Sequence, residues 1–196
     1  GYRLDKEGRR LSIIFELDQT RTTFLDMFEL VVPMFQAVGL DVQTRTMDRS
    51  LWEERVRRGR EYDATAHQFG ANSGIAAMLD PRFYVPINNN CFYAPAWSLY
   101  YTQPNNEAAE EPPPAVKAQQ ELYRKLVGTA DPAQQIGVMK QVLQGAADLF
   151  FTFGVSLPPD GFGIVKNNIV NVIKEMPNSF GWPTPGPARP EQFFKD

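Results

Sequence analysis

The feature that most constrains this chain is the alternation of apolar patterns along its first 68 residues. Residues 11–17 (LSIIFEL) put Leu11, Ile13, Phe15 and Leu17 on one face of a strand and Ile14 on the other. Burial on both faces suits a central strand of a mainly parallel sheet. Phe24, Phe28, Val31, Phe35 and Val38 then recur at helical spacing and form one apolar stripe. Thr23 is the expected N-cap, Gly39 the stop, and Pro33 an expected kink. Residues 40–47 read as a second strand, polar enough to lie near an edge. Ser50 opens a short helix carrying Leu51, Trp52 and Val56, and residues 62–68 make a third strand. Such close alternation of strands and helices implies parallel strands joined by right-handed crossovers.

Beyond residue 79 the pattern changes. From there to about 112 neither a helical nor an alternating period is convincing, yet the stretch holds Phe83, Tyr84, Phe92, Tyr93, Trp97, Tyr100 and Tyr101. An irregular connection this long is functional or disordered, and the aromatics argue against disorder. They serve either as core cover or as a ligand-facing wall. Two helices follow, one from the prolines at 112–114 to Val127. The other opens on Asp131-Pro132-Ala133-Gln134, an N-cap with proline at the first helical position and a Gln to close a capping box. Residues 150–157 (FFTFGVSL) read as a further buried strand. From Lys174 onward proline, glycine and aromatics dominate, a composition that builds no core and asks for a partner surface.

Several function classes are disfavoured. A net charge of −3 argues against nucleic-acid binding. The run Arg55, Arg57, Arg58 and Arg60 reads as a solvated helix end, where the macrodipole favours cations. Cys91 is the single cysteine and His67 the single histidine. That leaves too few soft ligands for a structural zinc site, so neither metal nor cofactor is expected. No nucleophile elbow surrounds His67, and Gly161-Phe162-Gly163 is too short to cradle a phosphate. No apolar run approaches the roughly 20 residues that cross a bilayer. The opening Gly1-Tyr2-Arg3, without an initiator Met or a signal peptide, reads as a piece of a longer exported protein.

The run from Phe28 to Val42 (FELVVPMFQAVGLDV) resembles the helix-into-strand segment of family 5 extracellular solute-binding proteins. This family comprises the oligopeptide-, dipeptide- and nickel-binding components of ABC importers. Arg60-Glu61-Tyr62-Asp63-Ala64 resembles its third-strand entry, and Asp131-Pro132 and the run from Lys166 to Val172 (KNNIVNV) are similar to later features. The likeness extends from Gly1 to about Val172, carried by order and spacing rather than by any single motif.

The resemblance implies a periplasmic-binding-protein-like class II α/β fold. Residues 1–173 would be a carboxy-terminal lobe with a mainly parallel mixed sheet flanked by helices. Residues 174–196 would be a tail packing on a lobe outside this chain. The first strand is expected between the second and third, with residues 150–157 beyond the third. A monomeric, periplasmic, non-enzymatic protein is implied, one that captures a peptide or opine-like solute and passes it to an ABC permease in the inner membrane.

Open α/β sheets leave a crevice at their carboxyl edge, which nominates His67, Phe69, Asn72, Arg82, Tyr84 and Trp97 as ligand-facing. In oligopeptide binders of the family a Trp, and three residues later an Asp, follow the third strand. The corresponding positions here are Phe69 and Asn72, so the carboxylate that grips a peptide amine is replaced by an amide. The competing expectation, from another class, is a small α/β enzyme working around His67.

Overall fold

A computed structural model describes residues 1–68, 75–156, 161–176 and 186–195. Strand β1 (Ser12–Asp18) is central, and β2 (Asp41–Met47) runs parallel to it from Ser12 opposite Asp41 to Asp18 opposite Met47. On the other side β3 (Ala64–Thr65) is also parallel, with Phe15 opposite Ala64 and Glu16 opposite Thr65. The sheet order is β2-β1-β3, as expected.

Alternation along β1 decides what each face receives. Phe15 and Leu17 pack with Ile13, Val42 and the helix α1 (Thr22–Ala37), where the Phe15 and Phe28 rings meet at 4.8 Å. On the opposite face Glu16 and Asp18 are each only 2% exposed. The Glu16 carboxylate takes Arg45 at 2.9 Å and lies 3.4 Å from Arg55. Burying a charge this deeply is tolerable because guanidiniums cover it.

Local chemistry adjusts the expected boundaries. Helix α1 starts at Thr22, so Thr23 lies inside it, and Arg21 at the N-cap makes no side-chain cap bond. The turn before the helix is tied instead by Asp18, which accepts from the backbone N–H of Thr20 at 2.9 Å and its hydroxyl at 2.7 Å. The helix continues through Pro33 and gives way to Gly39 at φ +84°, a left-handed conformation suited to glycine. Asp48, rather than Ser50, caps α2 (Arg49–Trp52) by accepting from Ser50 and Leu51 N–H. This helix then widens into a π-helical stretch, Glu53–Gly59. Strand β3 is shorter than the expected 62–68. The Asp63 carboxylate accepts Ile14 N–H at 3.0 Å, so a side chain occupies a donor that a longer strand would have paired through its backbone.

The remaining helices build a second core. Helices α3 (Ile75–Leu79) and α4 (Pro95–Thr102) lie in the chain before α5 (Pro114–Val127) and α6 (Pro132–Leu149). Val85, Tyr123, Leu126, Val138, Met139 and Val142 are buried together here. Helix α4 corrects the expectation of an irregular segment between 79 and 112. Pro95 starts it, and its buried positions are the small Ala96 and Ser98, which carry little weight in an apolar periodicity. Two buried amides of α5 then pin the surrounding loop. Gln119 Nε2 donates to Tyr84 O and Val142 O, and Gln120 Nε2 to Pro86 O and Trp97 O. The Asp131 cap is as expected, its carboxylate accepting Gln134 N–H at 2.7 Å.

No strand forms over residues 150–156, contrary to expectation. Phe150 closes α6 in the left-handed region and is 68% exposed. Thr152 donates to Phe83 O at 2.8 Å, and Phe153 meets Phe35 edge-on at 6.2 Å. A two-residue β3 leaves almost no ladder beyond itself for another strand to join. The end of the tail returns to this chain, where β5 (Phe194–Lys195) pairs antiparallel with β4 (Ile169–Val170).

Candidate functional site

The carboxyl edge of the sheet is where β1 ends at Asp18, β2 ends at Met47 and the chain leaves β3 towards His67. Trp52 is fully buried beneath this edge. Its indole N–H points at Glu16 O (3.3 Å) and Thr65 Oγ1 (3.1 Å), while the Thr65 hydroxyl donates to Glu16 O at 2.7 Å. Phe92, delivered by the loop before α4, meets Trp52 edge-on at 5.5 Å and carries the His67 ring at 4.3 Å. Met47 and Val56 close the same cluster.

Arginines surround these rings. Arg49 lies over Trp52 at 4.7 Å and pairs with Asp18 at 2.8 Å and with Glu53. Arg57 lies over Phe92 at 4.9 Å, its Nε 3.0 Å from Glu53 Oε2 but misaligned for a hydrogen bond. Arg21 donates to the Gln68 side chain at 3.0 Å. Stacking of guanidinium on aromatic faces is favourable and holds the charge in one orientation.

These surroundings set the charge states. Burial alone would raise the Asp18 carboxyl, but its bonds to Arg49 and Thr20 outweigh that and hold it below the usual value. Burial pushes the His67 imidazole down to about 4, assisted by Arg21, Arg49 and Arg57 and opposed by a bond to the Gln68 carbonyl. Nδ1 lies 3.0 Å from that carbonyl, which can only accept. The neutral ring therefore carries its proton on Nδ1 and offers Nε2 as an acceptor. Because His67 is the single histidine, NMR of its ring is unambiguous. Titration is expected with a midpoint near 4, and a midpoint near the unperturbed 6.5 would mean that the ring faces open solvent.

Four of the six expected site residues lie among the described residues, each in its own surroundings. His67 joins Trp52 and Phe92 at the sheet edge. Arg82 is buried and forms a two-pronged pair with Asp80. Tyr84 packs against the helical core, and burial raises its phenol. Trp97 meets Phe151 edge-on at 5.5 Å. Phe69 and Asn72 lie outside the described residues. Trp52, Arg21, Arg49 and Arg57 went unrecognised as site candidates, and Phe92 was marked only as one ring of a stretch that could face a ligand. The run at 55–60 is not a solvated helix end throughout: Arg55 reaches Glu16, Arg57 stacks on Phe92, and Arg60 donates to Ala108 O.

Chemically, the edge can stack against a ligand, donate from guanidiniums and accept at one imidazole nitrogen. His67 has a carbonyl rather than a carboxylate on Nδ1, so no orienting acid prepares it as a base. Burial pushes the Cys91 thiol up to about 12, which leaves it unreactive at neutral pH. Among the described residues no His, Cys, Asp and Glu cluster could hold a metal, and no helix is long and apolar enough to cross a membrane.

No family model and no curated protein matches the chain by sequence. Solved structures do match. All of the chain aligns with 32% of an oligopeptide-binding protein, OppA, at 23% identity and a TM-score of 0.68. For the periplasmic binding protein MelB of Agrobacterium fabrum C58, in complex with stachyose, 76% of the chain aligns with 21% of that protein. The identity is 18% and the TM-score 0.59. NikA of Brucella suis, in complex with Fe(III)-EDTA, matches over 72% of the chain and 26% of its own length, at 20% identity and a TM-score of 0.52. The chain thus spans about a third or less of each of these proteins. Its fold, a parallel sheet flanked by helices, is the periplasmic-binding-protein class II fold that the family 5 resemblance implies.

Proposed function

We propose that this chain is a solute-binding lobe of a substrate-binding protein serving an ABC importer, and that it captures a peptide or opine-like solute in the periplasm. The observation that carries this reading is the carboxyl edge of the β2-β1-β3 sheet. There Phe92, His67 and three arginines form a partly open rim over a rigid tryptophan. Open α/β sheets bind ligands at such edges. Residues 1–173 are the lobe in this reading, residues 174–196 serve contact with the rest of a longer protein, and an inner-membrane permease receives the solute. Phe69 and Asn72 enter on their place in the sequence after β3 and on the resemblance, Arg82 and Tyr84 act as supports for the loop, and Trp97 lines its aromatic side. The protein works as a monomer and performs no chemistry on its solute. The alternative of a small enzyme around His67 is disfavoured by that residue's neutral, carbonyl-bonded state.

A thermal-shift survey with peptides, opines, sugar acids and neutral oligosaccharides tests this reading. A ligand that binds the native state alone stabilises it by about 2.7 kcal/mol at a hundredfold excess over Kd, and so raises the melting temperature. At least one solute of the survey is expected to do so. A survey in which none does, with the chain folded and the solutes at millimolar concentration, would defeat the proposal.

A further inference from the structure

Three arginines meet at the carboxyl edge of the sheet, and not all of their donors are used there. Three guanidiniums, those of Arg21, Arg49 and Arg57, act on His67. Asp18 and Glu53 are the carboxylates paired with them among the described residues. Arg49 is engaged by both. Arg57 touches Glu53 through Nε alone, so among the described residues its two terminal nitrogens have neither a hydrogen bond nor an ion pair. Arg21 spends one terminal nitrogen on Gln68. Stacking on Phe92 holds Arg57 in place without consuming its donors. Against the same Phe92 ring His67 presents Nε2, an acceptor with no partner among the described residues.

Resting on the reading of this chain as a solute-binding lobe, we infer that Arg57, Arg21 and His67 select the hydroxylated, singly charged part of an opine-like solute, a sugar acid in chemical class. The guanidiniums take its carboxylate and the His67 imidazole accepts one of its hydroxyls. Arg57, whose terminal nitrogens have no partner among the described residues, supplies the positive charge that a single carboxylate neutralises. An ammonium group would be repelled. Terminal guanidinium nitrogens suit a carboxylate because their donors match its two oxygens. A neutral imidazole bonded through Nδ1 is a fixed acceptor for a hydroxyl.

The single histidine makes the test direct. The isotopically labelled chain is titrated with sodium D-galacturonate, and in parallel with methyl galactoside, galactosamine, sodium acetate and inorganic phosphate, while the His67 ring signals are followed. Galacturonate is expected to shift them saturably and to raise the His67 titration midpoint by about one pH unit, because a nearby anion favours the imidazolium. Methyl galactoside and galactosamine should leave the midpoint unmoved, and acetate, which lacks hydroxyls, should bind at least tenfold more weakly. Arg57→Gln should weaken galacturonate at least tenfold. Arg21→Gln should weaken it less, and keeps the test open if the first variant folds poorly.

An unmoved midpoint with galacturonate, or equal affinity for galacturonate and methyl galactoside, overturns the inference. Phosphate matching galacturonate overturns the selection of a hydroxylated monoanion. Should a neutral oligosaccharide raise the melting temperature while galacturonate does nothing, the inference fails and the solute-binding reading stands. If no solute of the survey has any effect, that reading itself has failed.

Discussion

Trp52→Ala is expected to lower the unfolding free energy by about 4 kcal/mol, measured by urea denaturation followed through far-ultraviolet circular dichroism. The side chain is fully buried between β1 and the Phe92 loop. Its removal leaves a cavity and takes away the indole donor directed at Glu16 O and Thr65 Oγ1. It also removes the floor under Arg49 and loosens the ring on which His67 rests. The His67 titration midpoint should accordingly move from about 4 towards the solvent value. Trp52→Phe keeps most of the packing and should cost less, on the order of 2 kcal/mol. A loss below about 1 kcal/mol for the alanine variant, on the same scale of core truncations, would show that the floor can collapse freely.

The second large effect is expected at Asp18. Its carboxylate is buried and organises Arg49, the Thr20 hydroxyl and the turn into α1. Asp18→Ala should cost about 3 kcal/mol, because the Arg49 charge and the Thr20 donors lose their acceptor. The pH dependence carries a definite sign. Its carboxyl group is held below the ordinary 3.8 in the folded protein. The stabilisation is thus fully present above that value and is lost as pH falls through the folded-state pKa. The stability gap between the natural protein and Asp18→Asn should be constant near neutrality and narrow below about pH 4. A gap that stays constant down to pH 2 would remove the charge from this explanation.

Legibility in the sequence followed the range of the interaction concerned. The β1-α1-β2 unit could be read because each element carries its own period, and Phe15, Phe28 and Val42 signal their burial locally. Gly39 and the Asp131 cap were equally readable, since a helix end is decided within a few residues. Helix α4 escaped because its buried face is made of alanine and serine. The expected strand does not form over residues 150–156 because apolar β-formers supply propensity but no partner, and the outer edge of β3 is only two residues long.

The site divides in the same way. His67 stood out from the sequence because it is the single histidine and lies just past β3. Nothing local marked Phe92, 25 positions further along, as the ring on which it rests. Arg55 and Arg57 read as solvent-facing, since a run of like charges carries no record of the buried Glu16 or of the aromatic face awaiting it.

By itself, then, the sequence determined the α/β class, the parallel crossovers and, through the family resemblance, the order β2-β1-β3. Hydrophobic period and end-capping chemistry act over one or two turns or strands, and they are written residue by residue. Only the tertiary structure decided which charges are buried, which arginines keep unused donors among the described residues and where His67 sits. Those outcomes depend on pairs such as Glu16 with Arg55 and Arg57 with Phe92, which are distant in sequence and meet only when the sheet and its covering loop have closed.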